Sequence, residues 1–249
     1  MSTAQLKKFK ILLIGDNCTD VYQYGTIDRL SPEAPVPIFV PTHTEEREGM
    51  VGNVYANLVK LGCDVNLLCG HSSVKTRLVD SRTKQQIVRI DNDVKSAPIR
   101  FDTAIPKYDA IVISDYGKGT VDYELIKEIL GSVSCPVFID TKMTDLAQME
   151  GAWVKINKLE YSKIKSECTG LIVTHGSEGA EIVHQKFWST TKKVEVVDVT
   201  GAGDTFLAAL AYQYLVTNDI KESVEFANKA ASITVQHFGV YAPSLEELL

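Results

Sequence analysis

A glycine-rich turn followed by an aspartate carries the clearest chemical signal of the sequence. The turn, residues 201–203, precedes Asp204, and the apolar run at 207–216 has the spacing of a helix. The amide N–H groups of the turn therefore lie at a helix N-terminus, where partial positive charge favours an anion. A carboxylate beside this anion hole suits phosphoryl transfer to an alcohol, because it can take the hydroxyl proton while the amides stabilise the phosphate charge. The alternative is an ordinary glycine turn capped by an acid.

The string at residues 198–204, Asp-Val-Thr-Gly-Ala-Gly-Asp, resembles the C-terminal signature of the ribokinase (PfkB) family of sugar and nucleoside kinases. By this resemblance Asp204 is the catalytic base. The amides of Gly201, Ala202 and Gly203 then form the anion hole. The resemblance further implies ATP as the phosphoryl donor and Mg²⁺ as the accompanying ion.

The composition limits the classes of partner. The 249 residues carry a net charge of −6 without a long Lys/Arg cluster, which argues against nucleic acid or an anionic membrane as the main partner. Five cysteines lack Cys-x-x-Cys spacing, so the sequence predicts neither a disulfide framework nor a zinc site. The apolar runs are too short for a signal sequence or a membrane span. We expect a soluble protein of the reducing cytoplasm.

Two aspartates follow the first apolar run of the chain. Residues 9–15 are typical of a buried strand that ends at Gly15, and Asp16 and Asp20 come just beyond it. Ligands bind at such strand ends in open α/β sheets. Turn formation or helix capping is an equally good explanation when the two acids are taken alone.

The N-terminal fifth of the chain resembles one branch of the family, the bacterial kinase domain that phosphorylates heptose 7-phosphate at its anomeric oxygen. The matching strings are Gly15-Asp16, Asp20, Tyr24-Gly25, residues 29–38 and residues 45–49. By this resemblance Asp16 and Asp20 contact the sugar, and D-glycero-D-manno-heptose 7-phosphate is the acceptor. There are two alternatives: a kinase for another sugar or nucleoside, and a relative that binds nucleotide or sugar without turnover.

A second substrate-binding motif is expected where a helix begins near residue 49. The family has two glycines and then an asparagine here, which let the substrate approach the backbone. Gly49 and Asn53 match this pattern, whereas Met50 stands at the second glycine position. The resemblance therefore assigns Gly49 and Asn53 to the substrate, although an asparagine in a helix is more often a cap or a surface residue.

Two lysines lie in loops that follow apolar strands. Lys118 belongs to the string Ser-Asp-Tyr-Gly-Lys-Gly, which resembles a substrate-contacting loop of the heptose branch, and Lys142 follows the strand at 136–140. The resemblance implies that both neutralise phosphate charge. Without the motif, a lysine in such a loop is usually solvated.

An asparagine and a glutamate are spaced by one helical turn after the strand at 153–156. Asn157 and Glu160 could hold a hydrated Mg²⁺, which needs only one or two protein oxygens, although the spacing alone favours a helix capping box. The family places its Asn-x-x-Glu motif here, for Mg²⁺ and the nucleotide phosphates. Lys155-Ile156 replaces the usual Thr-Pro of that motif.

The remaining nucleotide-binding residues are assigned by resemblance. The string at 173–179 matches the family element Val-Thr-x-Gly-x-x-Gly of the ATP site. The residues assigned to the nucleotide are Asn157, Thr174, Gly176, Gly179, Thr200, Asn228 and Ala231. Helix core is the alternative role for Ala231.

Strands that alternate with helices predict a single ribokinase-like domain over residues 1–249, a three-layer α/β sandwich with a mostly parallel sheet. The β-rich runs at 21–44 and 75–91 are expected to form a separate small lid, the second of them as a hairpin. Relatives normally have a further helix and strand between the first sheet strands and this hairpin, and this chain is shortened by that segment. Exposed β edges in the lid also indicate a homodimer.

Overall fold

A computed structural model describes residues 8–101 and 107–249. Strands and helices alternate along most of the chain, as the apolar patterning predicts. The strands are β1 (Lys10–Thr26), β2 (Val40–Met50), β3 (Asp64–Asp80), β4 (Gln86–Asn92), β5 (Ala110–Ser114), β6 (Val137–Asp140), β7 (Trp153–Asn157), β8 (Leu171–Thr174), β9 (Ala180–Ile182) and β10 (Phe187–Ser189). The helices are α1 (Val51–Lys60), α2 (Tyr123–Ser132), α3 (Lys158–Tyr161), α4 (Ala202–Thr217), α5 (Ile220–Thr234) and α6 (Leu245–Leu248), with short 3₁₀ turns at Leu146–Met149, Gly176–Glu178 and Val183–Gln185.

The ten strands in the described residues belong to one sheet, in the order β10-β9-β8-β7-β6-β5-β1-β3-β4, with β2 paired to β1. The central neighbours from β8 to β3 run parallel, and the pairs β8–β9, β9–β10, β3–β4 and β1–β2 are antiparallel. The short apolar strands β5 and β6 are buried throughout, which is typical of a parallel sheet with helices on both faces. The predicted three-layer α/β architecture is confirmed.

The two faces of the sheet form two separate cores because side chains alternate along each strand. One core packs Leu13, Val112 and Phe138 against α1, α4 and α5. The other packs Ile14 and Ile113 against α2 and the 3₁₀ turn at Leu146–Met149. Helix α4 is buried from Asp204 to Ala211, so the first turn of this helix has a fixed position above the sheet.

The prediction that the first strand ends at Gly15 is wrong. Strand β1 continues for 17 residues, and only its register against β3 shifts, between Gly15 and Asn17. Its first half pairs with β5 and its second half with the antiparallel β2. Asp16 and Asp20 therefore lie inside a strand, where each carboxylate is buried and hydrogen-bonded.

The strands predicted to form the lid are continuous with the main sheet. Strand β3 runs without interruption from Asp64 to Asp80, so the second halves of β1 and β3, together with β2 and β4, extend the main sheet. The first lid segment is shorter than the predicted run 21–44, because residues 27–39 form only an isolated bridge between Leu30 and Pro37. Pro residues in that segment cannot donate to a strand ladder. The predicted β3–β4 hairpin is confirmed.

No helix in the two described stretches is long and apolar enough to cross a membrane.

Truncation of a core side chain on α4 tests this architecture. Leu210 is fully buried, and Leu210→Ala is expected to lower the free energy of unfolding by about 2–5 kcal/mol through lost burial and a residual cavity. Val216 lies on the same helix and is 53% exposed, so Val216→Ala is expected to cost less than about 1 kcal/mol. Urea denaturation measures both, and equal losses would contradict the placement of α4.

Candidate active site

The loop before α4 is held in a glycine-dependent conformation. Gly201 has φ 80°, a left-handed value, and a Cβ at this position would lie 2.6 Å from Asn53 Nδ2. The Asp198 carboxylate fixes the backbone just before Gly201, since it accepts hydrogen bonds from Thr200 N at 2.9 Å and from Gly239 N at 2.9 Å. The Gly201-Ala202-Gly203 backbone therefore forms a shaped helix N-terminus suited to an anion.

The Asp204 carboxylate lies in the first turn of α4 and is 4% exposed. Tyr116 donates its hydroxyl to Oδ1 at 2.6 Å, and Asn53 donates its amide to Oδ2 at 2.9 Å. Burial raises the pKa of Asp204 to about 6, while the two hydrogen bonds oppose this shift. A carboxyl with this pKa is mostly ionised at neutral pH and can accept a proton there.

Helix α1 positions Asn53. Asn57 donates to Asn53 Oδ1 at 3.2 Å and to Asn53 O at 2.8 Å, which orients the Asn53 amide toward Asp204. Met50 precedes the helix with φ 50°, in a region that favours glycine, and its side chain is 5% exposed. Gly49 pairs with Cys18 across β2 and β1. The structure thus brings Asn53 to the carboxylate, and its assignment to the sugar stays a prediction.

The two aspartates of β1 are engaged within the protein. Asp16 accepts hydrogen bonds from the backbone N–H groups of Tyr116, Lys118 and Thr120 at 2.8–3.1 Å, and so shapes the loop that carries Tyr116. Asp20 forms a buried ion pair with Arg77 at 2.5 Å. Their predicted contacts with a sugar remain predictions.

The two lysines assigned to phosphate, Lys118 and Lys142, have different ion-pair partners. Lys118 pairs with Asp93 at 2.6 Å. Lys142 pairs with Glu160, and its ammonium lies 5.3 Å from the centre of the Tyr116 ring. Lys142 is therefore near the hydroxyl-bearing ring that contacts Asp204. Lys75 of β3, 5.9 Å from the same ring, adds a second positive charge that sequence reasoning did not assign.

Asn157 and Glu160 form a capping box at α3. Asn157 Oδ1 accepts from Glu160 N at 2.9 Å, and Glu160 Oε2 accepts from Asn157 N at 2.8 Å. No group of three or more His, Cys, Asp or Glu side chains suited to a metal occurs in the described part of the chain. The capping box, the alternative to a metal site for this spacing, is present. The metal role of Asn157 and Glu160 stays a prediction.

A buried ion pair lies beside the anion hole. Lys155 of β7 is 4% exposed, and its ammonium is 2.6 Å from Oδ2 of Asp140, the neighbouring residue of β6. The other carboxylate oxygen of Asp140 is buried and has no hydrogen-bond partner among the described residues. Sequence reasoning treated Lys155 only as a departure from the family motif, although a lysine within a buried strand was a usable signal. Tyr116 was likewise quoted in a motif without a role.

A cavity of about 710 Å³ opens beside the anion hole. Its lining includes most of the residues assigned to the nucleotide or to the hole: Thr174, Gly176, Gly179, Ala202, Gly203, Asn228 and Ala231. Gly201, Thr200 and Asn157 are not among its lining residues; Thr200 bonds Asp198, and Asn157 caps α3. The cavity is apolar at Phe206, Val196 and Val235 and reaches Gly203, the residue before Asp204.

Comparisons with known proteins show which proteins this chain is similar to. Residues 139–248 match the model described as pfkB family carbohydrate kinase. The chain is 33% identical over 298 positions to the bifunctional protein HldE of a Nitratiruptor species, an alignment that covers 97% of this chain and 64% of the relative. It is 30% identical over 305 positions to the bifunctional protein HldE of Histophilus somni, with 99% and 64% covered. The chain therefore spans about 64% of the length of these curated relatives.

The alignment lengths bear on the shortened segment expected from the sequence. The Nitratiruptor alignment has 298 positions, but 97% of 249 residues is only about 242, so about 56 positions have no residue of this chain. The relatives are thus longer within the matched region.

The fold matches solved kinases. The ribokinase of Arabidopsis thaliana, solved with ribose and ATP, superposes with a TM-score of 0.71 at 16% identity, covering 97% of each chain. Kinases of the matched family are phosphotransferases. The motifs, the sheet and both kinds of comparison agree that the chain is similar to the pfkB family of carbohydrate kinases, with the family match itself over residues 139–248.

Proposed function

We propose that this protein is an ATP-dependent sugar kinase that transfers the γ-phosphoryl group of ATP to a sugar hydroxyl. The observation that carries this proposal is the position of Asp204. Its buried carboxylate follows directly on the glycine-rich helix N-terminus that borders the large cavity. A proton acceptor next to an anion site is the arrangement that phosphoryl transfer to an alcohol requires.

ATP fits the cavity by size and by chemistry. Its apolar wall near Ala231 and Val235 suits a purine ring, and Ala202 and Gly203 at the other side suit phosphate groups. The solved Arabidopsis ribokinase binds ribose and ATP in the same fold, which supports this use of the cavity.

Magnesium fits the oxygen groups near the phosphate end. The unpartnered buried oxygen of Asp140 is a ligand of the kind that Mg²⁺ prefers, and Asn157 and Glu160 add further oxygens. When bound, the ion would neutralise charge on the nucleotide phosphates. These three residues are the proposed holders, and in the absence of the ion Asn157 and Glu160 cap α3.

In the proposed reaction the residues of this chain act on one proton and one phosphoryl group. Asp204 accepts the proton of the attacking hydroxyl, while the amides of the 201–203 turn stabilise the transferring group. Tyr116 and Asn53 hold the carboxylate before the acceptor arrives. The sugar hydroxyl then takes the place of one of these donors.

The acceptor we propose is D-glycero-D-manno-heptose 7-phosphate, phosphorylated at its anomeric oxygen. Two observations support an anionic sugar as the acceptor. One is the sequence resemblance at residues 15–49, and the other is the pair of positive side chains, Lys75 and Lys142, near the Tyr116 ring. A kinase for another sugar or nucleoside is the second candidate, favoured by the buried Met50 at the start of α1. Release of ADP on a panel of free and phosphorylated sugars and nucleosides distinguishes them. Nucleotide binding without turnover on any acceptor would favour a non-catalytic protein.

We also propose that the protein is cytoplasmic, where ATP is available, and dimerises through the strands predicted as a lid. Val88 and Ile90 of β4 are about half exposed, as is Val40 of β2. Strand β4 ends the sheet order, so its outer edge can pair with another chain. Light scattering tests this, and a monomeric mass at working concentration would reject it.

Removal of the proposed base should nearly abolish turnover. Asp204→Asn is expected to lower kcat by roughly 10²- to 10⁴-fold, the usual contribution of general base catalysis. Asp64→Asn removes an exposed carboxylate at the start of β3 and should leave kcat unchanged. A coupled ADP assay measures both, and an Asp204→Asn enzyme as fast as wild type would reject the assigned role.

Loss of the Tyr116 hydroxyl should move the pH profile. Tyr116 donates to the ionised form of Asp204, so Tyr116→Phe raises the pKa of Asp204 above its value of about 6. Activity needs the ionised carboxylate, and the acidic limb of kcat/KM should therefore move to higher pH by about 1–2 units. Tyr161→Phe, which removes an exposed hydroxyl bonded to Glu167, should leave the limb in place. An unshifted limb in Tyr116→Phe would contradict this coupling.

A further inference from the structure

We propose that Lys155 binds the terminal phosphates of the nucleotide, as a positive charge built into the floor of the anion hole. This inference rests on the proposed function, since it requires a nucleoside triphosphate in the cavity. It adds a phosphate-contacting residue at a position where the resembling family motif has a threonine.

The burial of Lys155 requires an explanation. Lysine is almost never fully buried without a partner, and here the residue sits within a five-residue strand of the central sheet. Its partner is Asp140, which is directly opposite in the parallel register of β6 and β7. The side chains of both residues therefore leave the sheet on the same face.

Stability alone does not account for this pair. Burying two charges is costly, and apolar side chains of similar volume are often neutral or stabilising replacements for a buried ion pair. The pair is also incomplete, because Oδ1 of Asp140 is buried without a hydrogen-bond partner among the described residues. Such unsatisfied polar groups indicate a site that a ligand or ion completes.

The position of the ammonium indicates the ligand. A Cβ added to Gly203 would lie 2.9 Å from Lys155 Nζ and 3.9 Å from Asp140 Oδ2, so the ammonium lies directly against the Gly203 backbone. Gly203 also lines the large cavity. The charge is thus beneath the same glycine-rich turn whose amides are suited to phosphate, and its effect is strong because the surroundings exclude water.

The charges of the pair also act on Asp204, in opposite directions. The negative charge of Asp140 raises the pKa of Asp204 and the positive charge of Lys155 lowers it. A phosphate bound at Gly203 would compete with Asp140 for the ammonium. We therefore assign Lys155 to the phosphate and Asp140 to holding the ammonium in place when the nucleotide is absent.

The test compares two nucleotides on one variant, in EDTA and without an acceptor sugar. Lys155→Met should weaken binding of the triphosphate analogue β,γ-methylene-ATP by about 10- to 100-fold, the loss of a hydrogen bond to a charged group. Binding of AMP, which lacks the terminal phosphates, should change by less than about threefold. Lys163→Met removes an exposed lysine beyond α3 and should change neither affinity. Isothermal titration calorimetry measures all of these.

Substitution of Asp140, the partner of Lys155, should not weaken binding of the triphosphate analogue. Asp140→Asn removes the carboxylate that competes for the ammonium, so it should bind the triphosphate analogue at least as tightly as wild type in EDTA. If Lys155→Met fails to fold because Asp140 is left without a counter-charge, the double variant Lys155→Met/Asp140→Asn removes both charges and should show the same selective loss. Thermal unfolding establishes which variants are folded.

The outcomes separate this inference from the proposed function. Equal losses for both nucleotides, or no loss for either, would overturn the role of Lys155 even if the wild type phosphorylates sugars. A weakened triphosphate affinity in Asp140→Asn would also overturn it, since that result indicates a purely structural pair. A selective loss in Lys155→Met would support it, even if wild type phosphorylates none of the sugars and the proposed function fails.

Discussion

The ionised carboxylate of Asp204 is held in a place that excludes water, and the surrounding structure has to compensate for that. Removal from water disfavours the charged form, and two neutral donors offset part of this cost. Tyr116 comes from the loop after β5 and Asn53 from α1, while the carboxylate itself belongs to α4. The environment of the proposed base is therefore formed only when three separate elements pack correctly, and each element depends on the sheet beneath it.

Several charged side chains of the strands and loops that carry the candidate site residues form ion pairs with one another. The pairs are Asp20 with Arg77, Lys118 with Asp93, Lys142 with Glu160, and Lys155 with Asp140. Fixed pairs limit the reorganisation needed when an anionic ligand arrives, which is the basis of electrostatic preorganisation. If the proposed phosphate ligand binds to one of these lysines, it replaces a carboxylate as the partner of that lysine.

The sequence was sufficient for the architecture and for the helix N-terminus that carries Asp204, because both depend on local patterns. Glycine spacing before an apolar run located the helix N-terminus and Asp204, and alternating apolar segments predicted the layered sheet. The errors concern contacts between distant residues. The carboxylates of Asp16 and Asp20 read as a strand end, yet backbone amides and Arg77 satisfy them inside the strand.

Two further residues could not be assigned from local pattern. Tyr116 reaches Asp204 across 88 positions of sequence, and the pairing of Lys155 with Asp140 depends on the strand register. Asn157 and Glu160 illustrate the opposite case, where a local spacing allowed both a metal site and a capping box. The backbone geometry at α3 satisfies the capping box in the absence of an ion.

The uninterrupted course of β1 and β3 has a mechanical consequence. Each strand runs for 17 residues from the middle of the sheet into the extension formed with β2 and β4, and the two strands are paired along most of that length. Because both strands are uninterrupted, no hinge within them separates this extension from the central sheet, and it can move only by bending of the strands. The irregularity between Gly15 and Asn17 interrupts the pairing of β1 with β3, so bending of the extension would concentrate there.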